Sequence, residues 1–220
     1  MLVRRVLQAI GVLGIAACGE SVLADPSEAV VKISATGCRP TSVVAHGVVV
    51  ADDLVATVAH AVAGEEEIVV EHGGRSLPGR VVAVDTVLDA AIVRVDDLDT
   101  DPLDRREHRD GETVVLLTED DDGNVVEQPV EVSGRATIRT SDIYREGEHT
   151  RPALDIAADV RGGDSGAPLV GDDGKLVALV WATSRRTDDR AWALPIEAID
   201  SLVEQAEATE HGAPPVRCSR

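Results

Sequence analysis

The chain has 220 residues, and its 40 Asp and Glu outnumber its 21 Lys and Arg, a formal charge of −19. That acidity argues against nucleic acid as a partner, since a phosphate backbone is bound by a basic surface. Apolar residues make up 44 % of the chain, with no Phe, one Tyr, two Trp and one Met, so disorder is excluded and short aliphatic and β-branched runs must fill the core.

At the N-terminus, Arg4 and Arg5 precede an apolar stretch from Val6 to Ile15. A stretch of that length cannot cross a bilayer, which takes about 20 residues, and it has the layout of a secretory signal peptide over 1–17. The small pair Ala16-Ala17 stands directly before Cys18. Ile15-Ala16-Ala17-Cys18 resembles the lipobox of bacterial lipoproteins, whose cysteine is acylated and becomes the mature N-terminus. The resemblance implies lipidation of Cys18, a tether over 18–28, and an exported protein anchored on the extracytoplasmic face of the cell membrane. Two cysteines then remain, Cys38 and Cys218. Disulfides persist outside the cytoplasm, so pairing these two is the economical assumption.

After the tether, short apolar runs at 29–34, 43–50, 54–58, 67–71, 79–84 and 90–95 read as strands, and so do 113–117, 125–132, 135–140, 153–157, 167–170, 175–182 and 190–194. Gly and Asp clusters separate them, and GEEE, HGGRS, DDDGN and GDDGK read as hairpin loops. The pattern predicts an all-β sandwich or barrel. Residues 96–111, the longest charged stretch, read as a solvated linker between two lobes at about 29–95 and 112–194. One helix is expected at about 195–209, where Pro195 suits a first turn and Ile196, Ile199, Leu202, Val203 and Ala206 recur at helical spacing. A tail at 211–220 carries Cys218.

The chemistry concentrates in Arg161–Val170, which sets Ser165 between glycines in a tight turn. Glycine beside a serine nucleophile admits strained backbone angles and lets a carbonyl approach two N–H groups. A serine hydroxyl needs a base, and the base needs an orienting partner. His60 follows one apolar run and Asp89 precedes another, giving the order His, Asp, Ser. The six histidines form no helical pair or H-E-x-x-H motif, so no metal site is expected. An α/β-hydrolase is disfavoured, because its triad order is Ser, Asp, His.

Thr57-Val58-Ala59-His60, Asp89-Ala90-Ala91-Ile92 and Gly163-Asp164-Ser165-Gly166-Ala167-Pro168 resemble the three motifs of the trypsin-like, two-barrel serine peptidases. The short loops and the VALVWA and WALPIEAI segments are closest in style to bacterial HtrA-like and mycobacterial acid-resistance proteases. The resemblance implies two six-stranded antiparallel β-barrels with a C-terminal helix, in a peptidase domain over 29–210. It implies a serine endopeptidase acting on proteins or peptides without a cofactor. Ser165 would be the nucleophile, His60 the general base, Asp89 its orienting partner, and the N–H groups of Gly163 and Ser165 the oxyanion hole. Asp159, six residues before Ser165, stands where trypsin-like enzymes seat the floor of the specificity pocket and a buried acid would favour basic substrates, whereas HtrA-like relatives often carry a structural Asp there; Trp181 and Trp192 lie on strands flanking that pocket and either line it or pack in the core. His46 is expected to be a strand or surface histidine, Asp85 a decoy for Asp89, and Asp164 a support of the serine turn through local hydrogen bonds. Ala167, where relatives usually carry glycine, keeps open a second reading: a catalytically silent protease fold used for binding or stress sensing.

Overall fold

The computed structural model describes residues 25–219 apart from 121, 185, 186, 188 and 210. The expected signal peptide and Cys18 lie outside the described residues, as does the tether up to residue 24. At the far end of that tether, Pro26–Ala29 forms a short 3-10 turn capped by the Asp25 carboxylate, so the chain is ordered there rather than a free spacer.

Twelve strands follow. The first six are β1 (Val30–Thr36), β2 (Val43–Ala51), β3 (Leu54–Thr57), β4 (Glu67–His72), β5 (Arg75–Asp85) and β6 (Ala90–Val95), with a one-turn helix, α1 (Ala59–Val62), between β3 and β4. The second six are β7 (Val114–Glu119), β8 (Val125–Thr140), β9 (His149–Ala157), β10 (Pro168–Val170), β11 (Leu176–Thr183) and β12 (Arg190–Pro195). Each set closes into an antiparallel barrel, in the order β1-β2-β3-β6-β5-β4 and, identically, β7-β8-β9-β12-β11-β10. The expected two-barrel, all-β class is therefore what the chain adopts.

Two barrels of this size need no large aromatics. Ile33, Leu54 and Ile92 fill the first and Leu116, Leu154, Ile156 and Leu169 the second, with Val and Ala between them. Closing a sheet removes its edges and lets period-two strands put one face inside.

Three expectations change. The runs at 125–132 and 135–140 are one strand, β8, bent where its register with β9 shifts between Val132 and Gly134. Gly134, at φ 148°, supplies the bend that the sequence reads as a turn. The linker is not simply solvated: Leu98, Leu103 and His108 are buried, because the chain must cross the apolar seam between barrels to reach β7. GEEE joins α1 to β4 and is not a hairpin, whereas the other three breaks are.

The C-terminal segment returns to the first barrel. A 3-10 turn at Ile196–Ile199 leads into α2 (Asp200–Glu207), which packs on β5 and β6. Arg94 of β6 donates to the Ala206 and Thr209 carbonyls at 2.9 and 3.2 Å, serving the open end of α2. The tail then bonds to Val81 through the Ala213 N–H and ends against α1, where Cys218 and Cys38 form a disulfide with Cα atoms 5.5 Å apart.

Arg106 anchors the linker to the second barrel. Its guanidinium holds both Glu112 oxygens at 2.7 and 2.9 Å and the Asp173 carboxylate at 2.8 to 3.1 Å, over Gly171 of the β10–β11 hairpin. This pairing draws the Asp173 carboxyl from its ordinary 3.8 down to about 2. A depressed folded-state pKa stabilises the fold fully above the ordinary value and loses that contribution as pH falls through the depressed one. Wild type is therefore expected to exceed Asp173→Asn in urea midpoint at pH 6, with the gap closing between pH 4 and 2. A gap independent of pH would remove the assignment.

Candidate active site

The residues singled out from the motifs converge on the seam between the barrels. His60 sits on α1, directly after β3, and Asp89 closes the turn before β6, which pairs with β3. That turn is built by Asp85, whose Oδ1 accepts the N–H groups of Val87 and Leu88 at 2.8 Å each. Asp89 itself takes φ 62°, a left-handed angle that Asp tolerates better than bulkier residues. The resulting placement brings its carboxylate under α1.

Asp89 is 6 % exposed, and its oxygens are met from several directions. Oδ1 accepts the His60 backbone N–H at 2.8 Å and Oδ2 accepts the His60 ring Nδ1–H at 2.9 Å. The Asp89 carbonyl accepts the Ala59 N–H at 3.1 Å. A carboxylate on Nδ1 fixes the tautomer, so Nε2 carries the lone pair and is the basic atom. The His60 side chain remains partly open to solvent.

A further partner of Asp89 was not legible in the motifs. Arg151 of β9 reaches across the seam with Nη1 3.5 Å from Asp89 Oδ2. Its Nε and Nη2 both donate to the Val87 carbonyl, at 2.9 and 2.6 Å. The expected strand began at 153, which left Arg151 in a loop; a lone cation beside a proline gave no other signal.

The serine turn is held just as tightly. Asp164 accepts the Arg161 N–H on Oδ2 at 2.7 Å and its carbonyl accepts the Ala167 N–H at 3.0 Å, the local support expected of it. Gly163 and Gly166 take φ 107° and 88°, which only glycine adopts without strain. A Cβ on Gly166 would collide with the His46 carbonyl. Among the described residues, no acceptor is paired with the N–H of Gly163 or of Ser165, so both donors are available to a ligand.

His46 is in β2, as expected, but it is a buried hub, not a surface residue, at 3 % exposure. Its backbone N–H donates to the Ser165 carbonyl at 2.8 Å, and its own carbonyl accepts the Thr57 hydroxyl at 2.6 Å. Its ring Nδ1–H donates to the Gly163 carbonyl at 2.8 Å, while Nε2 accepts the Glu119 N–H at 2.8 Å. These bonds run from the serine turn through β2 to Thr57, three residues before His60, and so bring the serine and histidine segments together. No hydrogen bond joins the Ser165 hydroxyl to the His60 ring among the described residues. In unliganded sites of this kind that contact is often long and tightens on the substrate.

Asp159 does not form a buried pocket floor. Its exposed carboxylate pairs with exposed Arg161 at 3.2 Å, on the rim of a groove that also touches Val44, Val126 and Gly163. The strand preceding the serine turn ends at Ala157, which leaves Asp159 in solvent. Trp181 is buried against the Arg151 guanidinium, 4.3 Å above its ring, and Trp192 lies 6.4 Å from it. Trp181 thus packs under the triad region and offers a ligand little surface. Among the described residues, no group of three or more His, Cys, Asp or Glu could hold a metal ion.

Comparison with known proteins decides the family. Residues 45–179, which contain all three motifs, match the trypsin-like peptidase domain.

The chain belongs to the trypsin-like peptidase family.

Within that family, it is 30 % identical over 193 residues to the serine protease Rv3671c of Mycobacterium tuberculosis, an alignment covering 86 % of this chain. It spans about half, 49 %, of that relative's length. The crystal structure of the active form of the Rv3671c protease superposes with a TM-score of 0.79 at 25 % identity, covering 100 % of both chains. An inactive form gives 0.72 at 28 % identity over 84 % of this chain and 91 % of that one. The HtrA-type protease AlgW with a tripeptide shares the fold, with a TM-score of 0.68 at 19 % identity over 83 % of this chain and 61 % of that one.

His46 gives this family member a testable tie. Truncation to Ala strands the Gly163 carbonyl and the Glu119 N–H in the seam, which costs about 2–4 kcal/mol. His46→Asn, with a donor near the Nδ1 position, is expected to recover about half. Urea unfolding measures both; equal stability of His46→Ala and wild type would remove the hub.

Proposed function

We propose that the protein is a serine endopeptidase, acting through an acyl-enzyme on Ser165 and anchored by a lipid on Cys18 to the extracytoplasmic face of the cell membrane. The observation that carries the catalytic part is the buried Asp89 carboxylate fixing the His60 ring, with Nε2 free, beside a glycine-rich serine turn whose two N–H groups are unused.

In this reading the Ser165 hydroxyl adds to the scissile carbonyl while His60 Nε2 takes its proton. Asp89 stabilises the imidazolium without itself being protonated. The N–H groups of Gly163 and Ser165 receive the oxyanion, each contributing about 3 kcal/mol to its stability. Collapse expels the amine, protonated by His60, and leaves an ester on Ser165. Water activated by the same base then releases the acid and restores the hydroxyl. The sequence requires neither a metal nor an organic cofactor.

The anchor rests on the lipobox resemblance at Ile15-Ala16-Ala17-Cys18. Signal-peptide removal takes away two arginines and no acid, so the mature body is still more acidic. Anionic headgroups repel such a body, and the lipid and tether hold it at the surface.

Two outcomes are expected. An organofluorophosphonate probe labels the wild-type chain and not Ser165→Ala, with His60→Ala lowering the labelling rate at least about 1,000-fold. Absence of labelling in wild type would leave the silent-fold reading in its place. Separately, Cys18→Ala releases the protein from the membrane fraction and abolishes incorporation of radiolabelled palmitate; retention of both would sink the anchor.

A further inference from the structure

We propose that Arg151 is a positioning residue of the candidate triad: it countercharges Asp89, fixes the turn that carries it, and so sets the pH range over which His60 serves as a base. The inference rests on the serine-endopeptidase reading and names a residue that its mechanism does not contain.

Arg151 is 2 % exposed, so its charge has almost no access to water. A cation in that position is tolerated only with a counter-charge and with its donors used. Nε and Nη2 are taken by the Val87 carbonyl, and Nη1 faces Asp89 Oδ2 at 3.5 Å. The face of the group lies 4.3 Å from the centre of the Trp181 ring. Burial pulls the guanidinium below its ordinary range, opposed by the charges of Asp89 and Asp85. Asp85 ends β5 and Asp89 directly precedes β6, so among the described residues the carboxylates acting on this second-barrel cation lie on the first barrel.

Two consequences follow from this geometry. The first is electrostatic. Oδ2 is the oxygen that accepts the His60 ring N–H, and it faces Arg151 on its other side. A carboxylate already paired with a cation stabilises an imidazolium less, so His60 releases its proton at lower pH than it would beside an unpaired Asp89. Arg39 also meets the histidine, donating to the His60 carbonyl at 3.3 Å alongside the Ser219 hydroxyl at 2.7 Å; both address the backbone and not the ring. The second consequence is positional. Val87 lies two residues before Asp89, and the Thr86 carbonyl beside it accepts the Ile143 N–H at 3.1 Å. The turn bearing Asp89 is thus pinned by the barrel that carries Ser165. A planar fork can hold the carbonyl and face the carboxylate together, which an ammonium cannot.

The experiment separates charge from fork. In the detergent-solubilised full chain, the pH dependence of organofluorophosphonate labelling and the imidazole ¹⁵N titration of His60 are measured for wild type, Arg151→Gln, Arg151→Met and Arg151→Lys. The two neutral variants are expected to move the acid limb and the His60 titration upward by roughly 1 pH unit. Arg151→Lys is expected to keep both within a few tenths of a unit of wild type while losing about tenfold in limiting labelling rate, because it retains the charge and not the fork. Gln can still donate to Val87, so one neutral variant preserves part of the packing if Met does not fold. An unmoved His60 titration in a folded neutral variant, or equal shifts in Lys and Gln, overturns the proposal. If wild type fails to label, the proposed function falls, and the titration still decides the role of Arg151.

Discussion

A carboxylate taken out of water must be surrounded by donors, and Asp89 obtains them only when both barrels are in place. The His60 backbone and ring come from α1 of the first barrel, and the Arg151 guanidinium from β9 of the second. Removing one side leaves a buried charge with too few partners, which is among the more destabilising events in a folded protein. The relative position of the barrels is therefore held by the same group that orients the candidate base. In a closed barrel each strand is fixed by two neighbours, so the loops at its rim gain precision from the sheet and not from their own sequence.

His46 applies a comparable constraint to the other half of the site. Its Nε2 accepts the Glu119 N–H, which leaves the Nδ1–H aimed at the Gly163 carbonyl. A peptide whose carbonyl is engaged cannot rotate freely, and the flanking N–H groups of Gly163 and Ser165 inherit that order. The absence of a Cβ at Gly166 is what permits β2 to come this close. The serine turn is thus shaped by a strand distant in sequence, and Gly166 serves an approach between barrels.

The chain order of the motifs was readable because it rests on local chemistry: a serine between glycines, a histidine after a strand, an aspartate before one. The all-β class was readable because short aliphatic runs cut by Gly and Asp leave few alternatives, but those runs fit a sandwich as well as a barrel, and the two-barrel form came from the motif resemblance. Long-range partners were not. Arg151 and Asp89 are 62 positions apart, and nothing in either neighbourhood refers to the other. His46 looked ordinary because a strand histidine carries no sign of which barrel its ring will face. Asp159 misled for the reverse reason: its spacing from Ser165 fits a pocket floor, but spacing does not specify the depth at which a strand ends. The break expected between 132 and 135 failed similarly, since a glycine in a strand marks a bend as readily as a turn.

The acidic composition acquires a structural meaning from how its few cations are used. All but Lys32 and Lys175 are arginines, and several act as staples between segments far apart in the chain. Arg39 holds the His60 carbonyl and Ser219, Arg94 the end of α2, Arg105 the Val50 carbonyl and Asp200, Arg106 the Glu112 and Asp173 carboxylates, and Arg151 the turn before Asp89. Arg105, Arg106 and Arg151 each donate from more than one nitrogen of the planar fork, an arrangement that an ammonium with the same charge does not offer. A surface rich in Asp and Glu repels itself, and its net charge works against compaction. Placing guanidinium groups where they meet backbone carbonyls and carboxylates in the seam opposes that repulsion at the points where the barrels, the linker and the tail have to be held together. The same residue type that closes the fold therefore lies beside the candidate base, and the electrostatics of the site are continuous with those of the scaffold.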